Sequence, residues 1–442
     1  MPVIELKVTQ RLSNVFGWAT QKRHCLWLDA SSGGRGSEWS ILSWDPIETR
    51  EGPAEDLVSW MDEWAEKLRK YPSEKVPFCG GLMGHLDYQN QMPPYPSNER
   101  FRPTGWLGLY ACALIEHAPS QTLFAVAGPW VDDADAILEA WVGKVPFSST
   151  LREHKQLGKR STMPSANVTK DQYMTAVRKC REWIASGDIY QVNLSQRFHC
   201  KWNGSAEELY RSLRQSNPAP YSAYVDCGKR KIFSSSPELF LAIDSSGWIE
   251  TRPIKGTRPR SSDPTTDQLQ AEALMSSEKE QAELLMIVDM ERNDLGRICE
   301  PGSVSGEISF ALESYASVHH LVGTVQGRLK EHLTWREILG AVFPGGSITG
   351  APKVRAMEII RDLESEERNA FCGTIGFLSV GGCARWSIAI RTIEMKGDAV
   401  DFGVGAGIVW DSDPAMEYEE TLEKARKLFV ALGWSLEEWK DR

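Results

Sequence analysis

The order of segments in this chain predicts an α+β fold. Strand-like runs come in groups, such as Lys231–Ser235, Leu239–Ile243 and Trp248–Pro253. Long helical stretches interrupt these groups instead of alternating with single strands, which argues against a regular βαβ chain. At 442 residues, with 41% hydrophobic and 25% charged side chains, the chain can bury a large core.

The elements follow from local pattern. In residues 1–150, short apolar runs alternate with turn signals, as at Ser40–Pro46 and Leu123–Ala127. Ala54–Lys70 sets Leu57, Trp60, Met61, Trp64 and Leu68 on one helical face. Residues 150–170 are polar and read as a linker or surface loop, dividing an N-terminal region, 1–160, from residues 161–442. Tyr173–Ser186 reads as a helix stopped by Gly187, and Tyr190–Cys200 alternates like a strand. One long helix is expected over Thr266–Asn293 and a shorter one over Pro352–Leu363. Phe371–Ser379, Arg385–Ile393 and Ala399–Val409 read as strands, and Pro414–Leu432 as the last helix.

Bulk chemistry excludes several classes. A net charge of -10 leaves no basic excess for nucleic acid. No apolar run is long enough for a membrane span, and the first 25 residues show no signal peptide. Nine scattered cysteines without a CxxC pair suit a reducing cytoplasm. The seventeen tryptophans are expected mostly in packing.

The chemistry concentrates in a few places. Thr251–Arg260 holds one lysine, Lys255, among three arginines. A lysine that is desolvated or crowded by cations becomes a nucleophile near neutral pH; a solvated basic loop is the bland alternative. Glu280 and Glu283, and likewise Glu417 and Glu420, stand three apart, so each pair shares a helix face. Two such faces together suit Mg2+; either pair alone reads equally as solvated surface. Phe343–Arg355 leads small residues and Thr349 into a helix start, either a plain cap or an anion seat. It is not a nucleotide loop, because no Gly-Lys-Ser/Thr follows. Gly403–Gly407 reads as a strand open to close ligand approach, or as a bulge. Arg391 follows an apolar strand, and His320 sits in an apolar run where a satisfied core histidine is the ordinary reading.

The order of motifs resembles the chorismate-utilising enzymes. The matching phrases are Gly187–Phe198, Ser235–Phe240, Thr251–Arg260, Glu283–Gly296, Gly345–Ile359, Cys372–Phe377, Ser387–Thr392 and Gly405–Thr421. Pro77–Gly84 and Gly36–Pro46 match more weakly. The resemblance implies a β-sandwich of antiparallel sheets surrounded by helices, with 161–442 as the chorismate-binding catalytic part and 1–160 similar to the N-terminal part of anthranilate synthase component I. It implies Lys255 as nucleophile and Glu238 as general acid and base, with His320 close to the ring. Glu280, Glu283, Glu417 and Glu420 would surround Mg2+. Gly256, Thr257, Thr349, Arg391, Gly405, Ala406, Gly407 and Lys424 would seat chorismate.

Within the family, Pro-Ile-Lys-Gly-Thr resembles the branch that makes 4-amino-4-deoxychorismate, whereas anthranilate synthases carry alanine in place of the lysine. The alternatives are an anthranilate synthase large subunit and an inactive chorismate-binding scaffold. No glutamine-hydrolysing motif is recognisable, so a glutamine amidotransferase subunit is the expected source of ammonia. Arg385, Trp410 and Phe371 depart from the family's usual residues. Ala30 replaces a serine found in tryptophan-regulated relatives.

Overall fold

A computed structural model of the chain describes every residue except 1, 7–10, 33–35, 37, 73–75, 89–103, 148–158, 316–317 and 442. Among the described residues, all twenty-two strands fall into two antiparallel sheets, one of twelve strands and one of ten. Both sheets take strands from before residue 160 and after it. In the larger, Leu26–Asp29 pairs with Tyr221–Asp226, and Ala399–Ile408 pairs with Gln191–Lys201. In the smaller, Gly81–Leu86 pairs with Thr374–Ser379, while Ile254–Pro259 lies beside Val318–Arg328.

The two-residue period of a strand sorts its side chains between layers. Along Tyr221–Asp226, Ala223 and Val225 join the core between the sheets, together with Leu82, Leu109 and Leu241 of the smaller sheet. Tyr224 points the other way, into a second core with Leu209 and Leu428 of the outer helices. Helices Ala54–Leu68, Glu278–Ile298 and Trp335–Val342 cover the smaller sheet through Met61, Val288 and Ile338. Each large side chain so buried contributes about 1.5–3 kcal/mol. Trp27, Trp60, Trp106, Trp335 and Trp386 are all fully buried, as packing residues should be.

Four expectations need correction. The helix over Thr266–Asn293 is two helices, Pro264–Met275 and Glu278–Ile298. Ser276 Oγ returns to Glu272 O at 2.8 Å, and the Ser277 side chain accepts from Glu280 N, so adjacent serines end one helix and cap the next. The strand over Arg385–Ile393 is also two, Ala384–Ile388 in the smaller sheet and Thr392–Lys396 in the larger. The chain changes sheets at Ala389–Arg391, and Arg391 adopts a positive φ of 52° there. Pro352 precedes the helix Lys353–Leu363 instead of lying in its first turn. Of the linker over 150–170, residues 150–158 lie outside the described residues, while Ser165–Ala166 is a short strand on Gln191–Lys201.

Candidate active site

Lys255 stands in the strand Ile254–Pro259, just before a bulge. The bulge is built on Gly256, whose φ of 76° suits glycine. A Cβ there would also meet Glu280 Oε2 at 3.0 Å. Lys255 is half-buried as a residue, yet its amine lies in the interior. A Cβ on Gly407 would come 3.4 Å from Lys255 Nζ, so the amine reaches across to the strand Ala399–Ile408. Burial lowers its pKa and Lys424 reinforces this, against Glu283, Glu238 and Glu420.

Glu238 enters from the start of Leu239–Ile243. Its backbone is held at both ends: its N–H donates to Ser236 Oγ at 3.2 Å, and its carbonyl accepts from Ile388 N at 3.1 Å. The side chain is buried, and burial pushes its pKa up to about 7, with Ser347 and Lys255 pulling the other way. Glu238 Oε1 and Ser347 Oγ each lack a hydrogen-bond partner.

His320 is buried opposite Thr257, with Nδ1 2.9 Å from Thr257 Oγ1 and Nε2 left without a partner. Burial pushes its pKa down to about 3, helped by Arg391, so the ring is neutral. Among the described residues, Arg391 has no ion-paired carboxylate, and burial lowers even its pKa.

The two acidic pairs, on Glu278–Ile298 and Pro414–Ala431, come within reach of one another's charge through Glu283 and Glu420. Glu283 feels the charges of Glu280 and Glu420, and Glu417 that of Glu420. Asp413 caps the second helix by accepting from Ala415 N and Met416 N. Several of these carboxylates are drawn to cations. Glu280 meets Arg258 at 3.4 Å, and Glu420 meets Lys424 at 2.8 Å. Among the described residues, no three carboxylate, imidazole or thiol groups converge tightly enough to enclose an ion. Their donor type still fits magnesium, and Glu417 keeps Oε2 buried without a partner while Oε1 takes the Ser412 hydroxyl at 2.6 Å.

The remaining candidates are held by local contacts. Lys424 donates to Gly405 O at 2.9 Å. Thr349 donates to Gly345 O at 2.9 Å, and its carbonyl accepts from Asn193 N at 2.7 Å. Ala406 is fully buried between its two glycines. A Cβ on Gly405 would meet Asn193 Oδ1 at 2.6 Å and the backbone Leu194 O at 3.0 Å, so the space here is tight.

Sequence reasoning missed Gln191, Ser347 and Glu291. Both polar side-chain atoms of Gln191 are buried without partners, next to Gly407. Glu291 accepts from Thr251 Oγ1 at 2.9 Å, and burial, with Glu238 adding to it, pushes its pKa up to about 8. All three residues lie inside matched motif phrases, which was the available signal.

The sequence profile of the chorismate binding enzymes matches residues 22–430. The chain belongs to the chorismate binding enzyme family. It is 41% identical over 372 residues to aminodeoxychorismate synthase component 1 of Klebsiella aerogenes, covering 83% of this chain and 80% of that one. It is 45% identical over 392 residues to anthranilate synthase component 1 of Aquifex aeolicus, covering 85% and 79%. Among solved structures, anthranilate synthase component I from Streptococcus pneumoniae superposes with a TM-score of 0.77 at 28% identity, covering 89% of this chain and 92% of that one. The sandwich expected of a chorismate binding enzyme is therefore present. The three departures fall in different places. The Phe371 ring packs on Gly403, Trp410 is exposed, and Arg385 lines a separate cavity with Asp29, Trp39 and Tyr221.

Proposed function

We propose that this chain is the synthase component that converts chorismate and ammonia to 4-amino-4-deoxychorismate, the step toward 4-aminobenzoate and folate. One observation carries the reading. Lys255 brings an amine with a lowered pKa to the glycine strand, in the charge field of an acid whose pKa lies near neutrality. Relatives named for both activities match at similar identity, so this lysine decides between them.

The chemistry follows from the two groups. Hydroxide is a poor leaving group, and Glu238, half protonated near pH 7, gives its proton to the 4-hydroxyl so that water departs. The free Lys255 amine adds to ring carbon C2 as the C4–O bond breaks. Ammonia then forms the new bond at C4, the C2–N bond to lysine breaks, and Glu238 takes back a proton from the nitrogen. Direct attack at C2 would instead give the anthranilate pattern. His320, being neutral, adds no charge beside the ring. Arg391, Lys424, Thr349, Gly256, Thr257 and the Gly405–Gly407 backbone seat the carboxylates and ring. Glu280, Glu283, Glu417 and Glu420 would hold magnesium, which when bound supplies positive charge for the substrate carboxylate. A glutamine amidotransferase partner would supply the ammonia, and the setting would be the cytoplasm. Among the described residues, no helix is long and apolar enough to cross a membrane.

The test is incubation of the purified chain with chorismate, magnesium and ammonium, with the product identified by chromatography and mass spectrometry. 4-Amino-4-deoxychorismate is expected, and a lyase that makes 4-aminobenzoate should consume it. Anthranilate as the main product would move the chain to the other branch, and no conversion would leave the inactive scaffold.

A further inference from the structure

Next to Thr349 and the Gly405–Gly407 strand lies a buried ion pair that includes none of the residues assigned to chemistry or substrate. The side chains of Arg368 and Glu364 are 2% and 7% exposed. Arg368 Nε and Nη2 meet the two oxygens of Glu364 at 2.9 and 2.7 Å. Its other bonds go to backbone. Nη1 donates to Ile348 O at 2.8 Å, and Nη2 to Asn193 O at 2.7 Å. Glu364 Oε1 in turn accepts from Ser195 N at 2.9 Å and Ser195 Oγ at 2.7 Å. The guanidinium also lies over the Tyr88 ring, 4.7 Å from its centroid.

One planar group thus joins the end of the helix Lys353–Leu363, the strand Gln191–Lys201 and the loop before Thr349. Its two backbone acceptors adjoin residues proposed to seat chorismate. Asn193 stands opposite Gly407, and Ser195 opposite Gly405. Ile348 lies between Ser347, which lowers the pKa of Glu238, and Thr349. We propose that Arg368 and Glu364 form a positioning pair, which sets the distance between Thr349 and the Gly405–Gly407 backbone and so fixes the shape of the chorismate seat. This rests on the reading that those residues hold chorismate. A guanidinium is needed because its rigid fork spans four acceptor oxygens on three residues at once, whereas a lysine ammonium acts as a point donor on a flexible stem.

The test uses the full chain with saturating ammonium and magnesium, and reads kcat, the KM for chorismate and the melting temperature. Arg368→Lys should raise KM about tenfold while kcat stays within about threefold, the pattern of lost uniform binding. Glu364→Gln keeps one acceptor for the arginine and should raise KM about threefold, and the double variant should fall short of the product of the two effects. A folded Arg368→Lys protein with parental KM overturns the proposal. So does a lower melting temperature with normal KM, because the pair would then hold only the fold. If Arg368→Lys does not fold, Glu364→Gln decides on the same criterion. The identity of the product is read separately. A parent that makes anthranilate would refute the proposed reaction while its KM for chorismate still tested the pair.

Discussion

Between the two sheets, around Arg230, buried charges are matched to partners. Arg230 meets Asp87 at 3.1 Å and Glu394 at 3.2 Å, and Glu394 also accepts from Ala370 N at 3.0 Å. Arg197 pairs with Asp401, and Thr104 donates to Asp87. None of these side chains leaves a buried polar atom without a partner. Around Lys255 the opposite holds. Glu238, His320, Gln191, Ser347 and Glu417 all keep an unpartnered buried atom. Orphaned groups in a folded interior are costly, so the second cluster has the signature of a surface built for something that arrives later. The first has that of a joint between sheets.

The sharpest break of this contrast is Lys255→Ala. Loss of the nucleophile should reduce formation of the C4 amine about ten-thousandfold. Residual product should shift toward the anthranilate pattern, and parental C4 amination would leave Lys255 a mere cationic neighbour. Next comes metal removal. Chelation, or Glu420→Ala, should lower turnover on the order of a thousandfold without unfolding the protein; undiminished activity in chelator would detach the acidic pairs from the reaction.

Glu238→Gln should lower the rate about a hundredfold and remove one limb of the pH–rate profile. It also has a stability signature. Glu238 carries a folded pKa of about 7 against an ordinary 4.5. Its contribution to folding is complete below about 4.5 and is lost as pH rises through about 7. The variant should therefore gain in melting temperature relative to the parent across that window. A constant difference from pH 4.5 to 8 would contradict the buried acid.

The joint should behave in reverse. Arg230→Met strands Asp87 and Glu394, which should lower stability by about 3–5 kcal/mol, while the turnover of the molecules that remain folded changes less than about threefold. A large change in kcat with stability preserved would erase the distinction between the two clusters.

Much of this was legible in the sequence where one element carried one pattern. Leu239–Ile243 and Ala54–Leu68 fall where alternation and helical spacing put them. The two acidic pairs were visible because their spacing is local. The sheet change at Ala389–Arg391 was hidden because Arg385–Ile393 keeps a strand-like pattern across the crossing. The long helix hid its break because a serine inside a helical pattern costs only a few tenths of a kcal/mol, too little to mark a stop. Arg368 and Glu364 stand four apart in a charged stretch, and only the tertiary fold brings Asn193 and Ile348 to them.

The interleaved sheets also shape how the chain is made. Cys79 N donates to Ser379 Oγ, 300 residues further on, and the neighbouring strand Gly81–Leu86 pairs with Thr374–Ser379. At about 5–20 residues per second, synthesis leaves that strand without its C-terminal neighbour for roughly 15–60 s. Leu82, Met83 and Leu86 belong to the finished core, so an apolar strand edge is on offer to other chains meanwhile. Such distant pairing also slows the closing step itself. Recovery of intact enzyme should therefore depend on the rate of its production, with slow expression at low temperature favouring monodisperse protein over aggregate.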